Sequence, residues 1–295
     1  IDTIADRSTG SAIAGKAYFE TSTNKFIVYN GSAWIELDSD GVGAVYENRW
    51  GASFDGGGDI FKCGDISAIN AASELTITCW VKADSFPHSS YNSLWGSGGD
   101  GGTRHPDRLW MTANASRFNV FNGTSQNFSF STTVSTGVWY HTAVVISGSN
   151  NLTFYLDGSQ LGSTVTNFTT LRAASGESFE IGGNPTYDPY FWHGSIDEVA
   201  VFDAALSAAD ITKIYNGTAP NGKPTNLTLA ASYDTDRTSN LKGYWRMGDD
   251  SSDTASANGS ISTITDSSGN GNDATQSTAS SQPTFSDLTG ETIYV

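Results

Sequence analysis

The segment Glu74-Leu-Thr-Ile-Thr-Cys-Trp-Val-Lys82 alternates Leu75, Ile77, Cys79 and Val81 with Thr76, Thr78 and Lys82. A period of two is the signature of an extended strand with one face in a core. Trp80 falls on the opposite face, which therefore needs cover as well. Val138-Trp-Tyr-His-Thr-Ala-Val-Val-Ile146 is more continuously apolar, as a strand covered on both sides would be. Leu152-Thr-Phe-Tyr-Leu156 runs into Asp157-Gly158, a strong hairpin signal because both residues tolerate positive φ. Phe179-Glu-Ile-Gly-Gly183 and Ser195-Ile-Asp-Glu-Val-Ala-Val-Phe202 continue the pattern. One helix interrupts it. Ser207 caps its start, Asp210 follows three residues on, Ile211, Ile214 and Tyr215 line one face, and Asn216-Gly217 ends it.

Around this strand-rich middle the chain divides into three zones, 1–43, 44–217 and 218–295. In the first, Ala17–Thr21, Lys25–Asn30 and Ala33–Leu37 are short apolar runs separated by turn residues, which predicts a three-stranded meander. Such a unit is too small to bury a core of its own, so it is expected to dock or to oligomerise. The third zone opens on Pro220-Asn-Gly-Lys-Pro224 and is rich in Ser, Thr, Asn and Gly, the composition of a loop-rich extension. The 15 Phe, 12 Tyr and 8 Trp supply enough apolar surface to exclude a wholly disordered chain.

The formal charge of −16, with 15 Lys and Arg against 31 Asp and Glu, argues against nucleic acid and against anionic membrane surfaces. No apolar run approaches the ~20 residues of a membrane-spanning helix, so no membrane insertion is expected. The N-terminal residues lack the basic and apolar regions of a signal peptide. Cys63 and Cys79 both lie in strand-like runs and are either bonded to each other or two buried thiols.

Ser53-Phe-Asp-Gly-Gly-Gly-Asp59, Leu75–Lys82, Trp139-Tyr-His141, Phe154-Tyr-Leu-Asp-Gly158, Gly194–Phe202 and Ala205-Leu-Ser207 follow one another in an order and spacing that can be matched. They resemble the laminin G-like domains of the concanavalin A-like lectin/glucanase superfamily. The resemblance implies an all-β fold, a jelly-roll sandwich of two antiparallel sheets. It also implies a structural Ca²⁺ between the Phe-Asp-Gly turn and the Ile-Asp-Glu strand, with Asp55, Asp59 and Asp197 as ligands. Gly243-Tyr-Trp-Arg-Met247 and Ile264–Asp273 are similar to the segment that usually opens such a domain. Here they follow it, either as a truncated second copy or as strands supplied to the first. Gly15–Phe19 and Tyr29–Trp34 are similar to linking segments of bacteriophage tail-fibre and virion structural proteins.

Hydrolases on this fold carry a Glu-x-Asp-x-x-Glu strand, because two-carboxylate chemistry needs both groups on one face. The corresponding strand here offers only Asp197-Glu198, and adjacent residues of a regular strand point to opposite faces. No enzyme is therefore expected. Gly10–Ala17 nearly spells a phosphate loop, yet Ala17 lacks the Mg²⁺-binding hydroxyl and a strand follows. Asp266–Gly271 imitates an EF-hand start, but Ser277 stands where the bidentate Glu belongs.

The function expected is that of a virion structural protein, a fibre or surface appendage that displays a lectin-like domain. Its partners are other virion proteins or copies of itself, through 1–43, and a host surface glycan. A secreted bacterial carbohydrate-binding or adhesion module is the alternative. Either setting is extracellular. Trp95, Trp110, Tyr187, Tyr190 and Trp192 are the candidate stacking platforms, with Asn184 and Asp188 as polar partners, since sugars stack on π-faces and pair their hydroxyls with amides and carboxylates.

Overall fold

The computed structural model describes residues 48–98, 109–122, 126–148, 150–169, 171, 176–183, 190–217 and 226–288, together with three backbone strands near the N-terminus. The chain divides into two units, Ile1–Glu47 and Asn48–Val295. In the first, β1 (Ala17–Glu20), β2 (Lys25–Tyr29) and β3 (Trp34–Leu37) form the expected antiparallel meander, in the order β1-β2-β3.

The second unit is a sandwich. Its strands in chain order are β4 (Trp50–Asp55), β5 (Phe61–Lys62), β6 (Leu75–Ala83), β7 (Asn92–Ser97), β8 (Leu109–Asn114), β9 (Arg117–Asn122) and β10 (Asn127–Ser131). Then come β11 (Trp139–Ser147), β12 (Asn151–Leu156), β13 (Ser159–Gln160), β14 (Phe179–Ile181) and β15 (His193–Phe202). After the helix α1 (Ala208–Gly217) follow β16 (Leu241–Trp245), β17 (Thr263–Ile264), β18 (Ala274–Thr275) and β19 (Thr284–Asp287).

One sheet runs β10-β9-β8-β7-β14-β5-β18-β17. The other runs β13-β12-β11-β6-β15-β4-β19, with β16 also on β15. Every pairing is antiparallel among the described residues. The period-two residues do what their pattern requires. Leu75, Ile77, Cys79 and Val81 of β6 enter the main core with Phe54, Trp95, Phe118, Phe154, Val199 and Trp245. Trp80 turns outward and stacks on Tyr215 of α1 at 5.4 Å. Ile211 and Ile214 seal a second apolar layer over Val145, Phe202 and Tyr244. The helix starts with a reciprocal cap: Ser207 Oγ accepts Asp210 N–H at 3.1 Å, and Asp210 Oδ2 accepts Ser207 N–H at 3.2 Å. The Asp157-Gly158 turn has positive φ at both residues, 49° and 73°, as its hairpin needs.

The third zone is part of this sandwich. It contributes β17 and β18 to one sheet, β16 and β19 to the other, so no boundary falls at 217/218. Of the two alternatives, the strands complete the first domain. Cys63 and Cys79 are free and buried, and burial holds both thiols protonated, Cys79 at about 12. Among the described residues no helix is long and apolar enough to cross a membrane.

Candidate functional site

Asp55 ends β4 and stays exposed, its Oδ1 accepting the Gly57 N–H at 2.7 Å. Asp59 is buried and its Oδ2 accepts the Asp55 N–H at 2.9 Å. The two carboxylates thus close the Phe-Asp-Gly turn. Burial, together with the charge of Asp55, lifts Asp59 to about 6. Asp197 is not with them. β15 pairs with β4 from His193↔Asp55 to Ile196↔Ala52, so Asp197 lies four positions along, about 13 Å from Asp55 at strand rise. The expected ligand trio is therefore not one site. Among the described residues no group of three or more His, Cys, Asp or Glu is arranged to hold a metal ion.

Asp197 and Glu198 also depart from the alternation expected of them. The register of β15 on β6 slips between Asp197 and Ala200, and Glu198 carries φ of 48°. This bulge gives the strand an extra residue. Ile196 and Val199 enter the main core, while Asp197 pairs with outward-facing Trp80 and Glu198 reaches Tyr244 on the outer layer. Both carboxyls thus lie behind the sheet, side by side.

The bulge falls where the edge of β15 changes partner, from β4 to β16. Glu198 accepts the Tyr244 hydroxyl and pairs with Arg246 Nε at 3.3 Å, and Arg246 Nη1 donates to the Asp249 carbonyl at 3.0 Å. Asp249 in turn accepts the N–H of Arg49 at 3.0 Å and of Trp50 at 3.1 Å, at the start of β4. Asp197 Oδ1 accepts the Glu198 N–H at 2.8 Å, and its Oδ2 has no hydrogen-bond partner. Burial, then the charges of Glu198 and Asp249, hold Asp197 well above the usual carboxylate range. Burial raises Glu198, opposed by Arg246, and lifts Asp249 to about 7. The side chain of Glu198 is 0% exposed and that of Arg246 2%, so no substrate reaches this pair.

The aromatic candidates separate by face. Trp95 and Trp192 belong to the main core and offer no ring to a ligand. Trp110 faces away from that core, yet it is sealed, with its indole N–H on Ser93 Oγ at 2.9 Å and its ring 4.8 Å from Phe121. Indoles large enough to stack on a sugar are also the side chains that gain most from burial, and here burial wins. Tyr190 remains half-buried at the rim. Asn184, Tyr187 and Asp188 lie outside the described residues.

Around Tyr190 a coherent face does form on the outer side of β7, β8 and β9. Tyr91, also half-buried, meets Tyr190 edge-on at 5.7 Å and Trp110 at 5.8 Å, and His88 meets Tyr190 at 5.3 Å. On the same outer side the buried Asn119 ties the strands together, its Nδ2 donating to the buried Thr112 Oγ1 at 3.3 Å and its Oδ1 accepting from Ser129 Oγ at 2.8 Å. Tyr91, Phe121 and Asn119 were not among the expected site residues. The signal was present: in Arg117-Phe-Asn-Val-Phe-Asn122, alternation puts Asn119 and Phe121 on the face opposite core residues Phe118 and Val120.

Two packed antiparallel sheets with one short helix are a concanavalin A-like sandwich. The model of the concanavalin A-like lectin/glucanases superfamily matches residues 55–212, more than half of the sequence, and the chain belongs to that superfamily. A Bacteroides ovatus protein described as carbohydrate-binding shares the fold at TM-score 0.57 and 16% identity, covering 96% of this chain and 72% of that one. A heptameric pentraxin from Limulus polyphemus is similar at TM-score 0.46 and 18% identity, over 60% of this chain and 87% of its own. Domain 4 of an arabinanase from Geobacillus stearothermophilus, in complex with arabinotriose, gives TM-score 0.39 and 16% identity, over 65% and 81%. No curated protein matches.

Proposed function

We propose that the protein is a non-catalytic glycan-binding module. The observation that carries this reading is the ring cluster on the outer side of β7–β9, where Tyr91 and Tyr190 stand half-buried and meet edge-on at 5.7 Å. Partly open aromatic rings give a sugar ring a surface to stack on. Membership of the superfamily and the fold shared with a protein described as carbohydrate-binding support it. The sealed position of Asp197 and Glu198 supports the absence of hydrolysis, because two-carboxylate chemistry needs both groups open to the sugar.

Its setting, in this reading, is the surface of a virion, as a fibre or appendage contacting host glycans, with 1–43 as the assembly element. A secreted bacterial carbohydrate-binding or adhesion module is the second setting, and the same face serves it. Calcium enters only at the Asp55–Asp59 turn, where two carboxylates stay together.

A glycan array probed with wild type, Tyr91→Ala and Tyr190→Ala tests the face. Retention by wild type and a loss of about tenfold in each variant, roughly 1.4 kcal/mol, are expected. Wild type retaining no glycan, with or without calcium, would sink the reading. In the same preparation, stripped of metal first, added calcium should raise Tm. A Tm that does not move removes calcium from the turn.

A further inference from the structure

β10 ends its sheet, and along its open side runs a cavity of about 440 Å³. All five residues of β10 line it, and the opposite wall is Leu161, Gly162, Ser163 and Val165, just past β13. A pocket on the face of a strand is lined by alternate residues. One lined by five in succession follows the edge, where the peptide groups that β9 does not take point outward. At strand rise this groove is about 17 Å long.

We propose that this groove binds an extended, uncharged oligosaccharide, as a second subsite of the glycan reading on which the proposal rests. Three observations carry it. The volume lies within the range of ligand sites. The lining holds no Asp, Glu, Lys or Arg, in a chain whose formal charge is −16, so nothing in it would pair with a charged ligand. The lining is amphipathic in the way a sugar is. Phe128 is half-buried with its ring 5.8 Å from Phe168, while exposed Asn127, Ser129, Ser131 and Ser163 present an amide and hydroxyls around it.

A peptide added to this edge would use the same backbone groups, so an uncharged hexapeptide is the control that separates the two occupants. One face of the strand is polar, with Asn127, Ser129 and Ser131, and the other carries Phe128 and Phe130. The groove is also tied to the outer side of β7–β9, since Ser129 Oγ donates to Asn119 Oδ1. A linear glycan crossing the strands from Tyr190 towards β10 would meet both.

Calorimetric titration with cellohexaose, xylohexaose and mannohexaose, an acidic oligogalacturonide and an uncharged hexapeptide tests this on the full chain. The variants are Ser131→Trp and Ser163→Trp, which fill the groove from exposed positions, and Phe128→Ala, which removes its floor. At least one neutral hexaose should bind, more tightly than the oligogalacturonide. Both Trp variants should weaken it at least tenfold with unchanged melting, so the outcome does not depend on whether Phe128→Ala folds. Neutral sugars bound equally by wild type and both Trp variants would overturn the groove and leave the face of β7–β9 standing. Tighter binding of the oligogalacturonide than of every neutral hexaose overturns the uncharged assignment. A hexapeptide bound in place of the sugars, and displaced by the Trp variants, overturns it in favour of strand addition. No sugar bound by wild type removes both subsites.

Discussion

Asp197 and Glu198 are neighbours in sequence with opposite electrostatic fates. Glu198 has a cation and a hydroxyl, Arg246 and Tyr244, and with them it ties β15 to the end of β16. Asp197 is buried, with one oxygen lacking a hydrogen-bond partner and two acidic neighbours, and against the Asn48 amide these favour its protonated form. Substitution should separate them. Asp197→Asn replaces a neutral acid by a neutral amide of the same shape and should cost less than about 1 kcal/mol. Glu198→Gln leaves the Arg246 guanidinium buried without its anion and should cost about 3–5 kcal/mol. Urea midpoints at constant m-value measure both. Equal losses in the two variants would contradict the protonated state of Asp197. Gly194 shows a steric requirement at the same scale: its φ is 142°, and a Cβ there would sit 2.0 Å from the Lys82 carbonyl oxygen.

Among the elements, the meander β1–β3 carries the assembly proposal. Tyr18, Phe19, Phe26, Ile27, Val28, Tyr29, Trp34, Ile35 and Leu37 crowd into about twenty residues, and a lone three-stranded sheet covers only one of its faces. Exposed, such a set of side chains would favour association with a second copy or with another particle protein. Solution mass of the full chain against a chain starting at Asp38 checks this, with a symmetric oligomer expected only for the former. Two monomers, with the full chain melting higher, would make the meander an intrachain flap and weaken the virion setting. The sandwich elements themselves were legible in the sequence. β6, the β12–β13 hairpin and α1 all fall where alternation, Asp-Gly and the Ser207–Asp210 cap put them, because each signal is local.

For the whole molecule, buried carboxyls set an unusual pH response. Asp59 at about 6, Glu180 and Asp249 at about 7, and Asp157, Asp197, Glu198 and Asp253 all titrate above their unfolded values, chiefly through burial. Between about pH 4 and pH 7 the folded state therefore binds more protons than the unfolded one, and stability falls as pH rises. His141, pushed down to about 3 by burial, works the other way below about pH 6.5, as one group against seven. Below pH 4 the depressed carboxyls Asp210 and Asp250 lose their hydrogen-bonded advantage, so the optimum lies near pH 4–5. Calorimetry should give a Tm several degrees higher at pH 5 than at pH 8, at about 2–4 °C per kcal/mol for a domain this size. A higher Tm at pH 8 would refute this balance.

The all-β sandwich came with the family resemblance; by residue pattern alone the sequence determined the core face of β6, the β12–β13 hairpin, the helix with its cap and the three-stranded meander. Those follow from backbone periodicity and turn chemistry, which act over a few residues. The tertiary structure decided the rest. It brought β16 through β19 back into both sheets, with β18 on β5 and β19 on β4 pairing residues more than 200 positions apart, which no local pattern encodes. It separated Asp197 from Asp55, because strand register is fixed by the whole sheet. A bulge where β15 exchanges β4 for β16 turned Asp197 and Glu198 the same way. Burial, a property of the completed sandwich, took Trp95, Trp110 and Trp192 out of reach and left Tyr91 and Tyr190 at the rim.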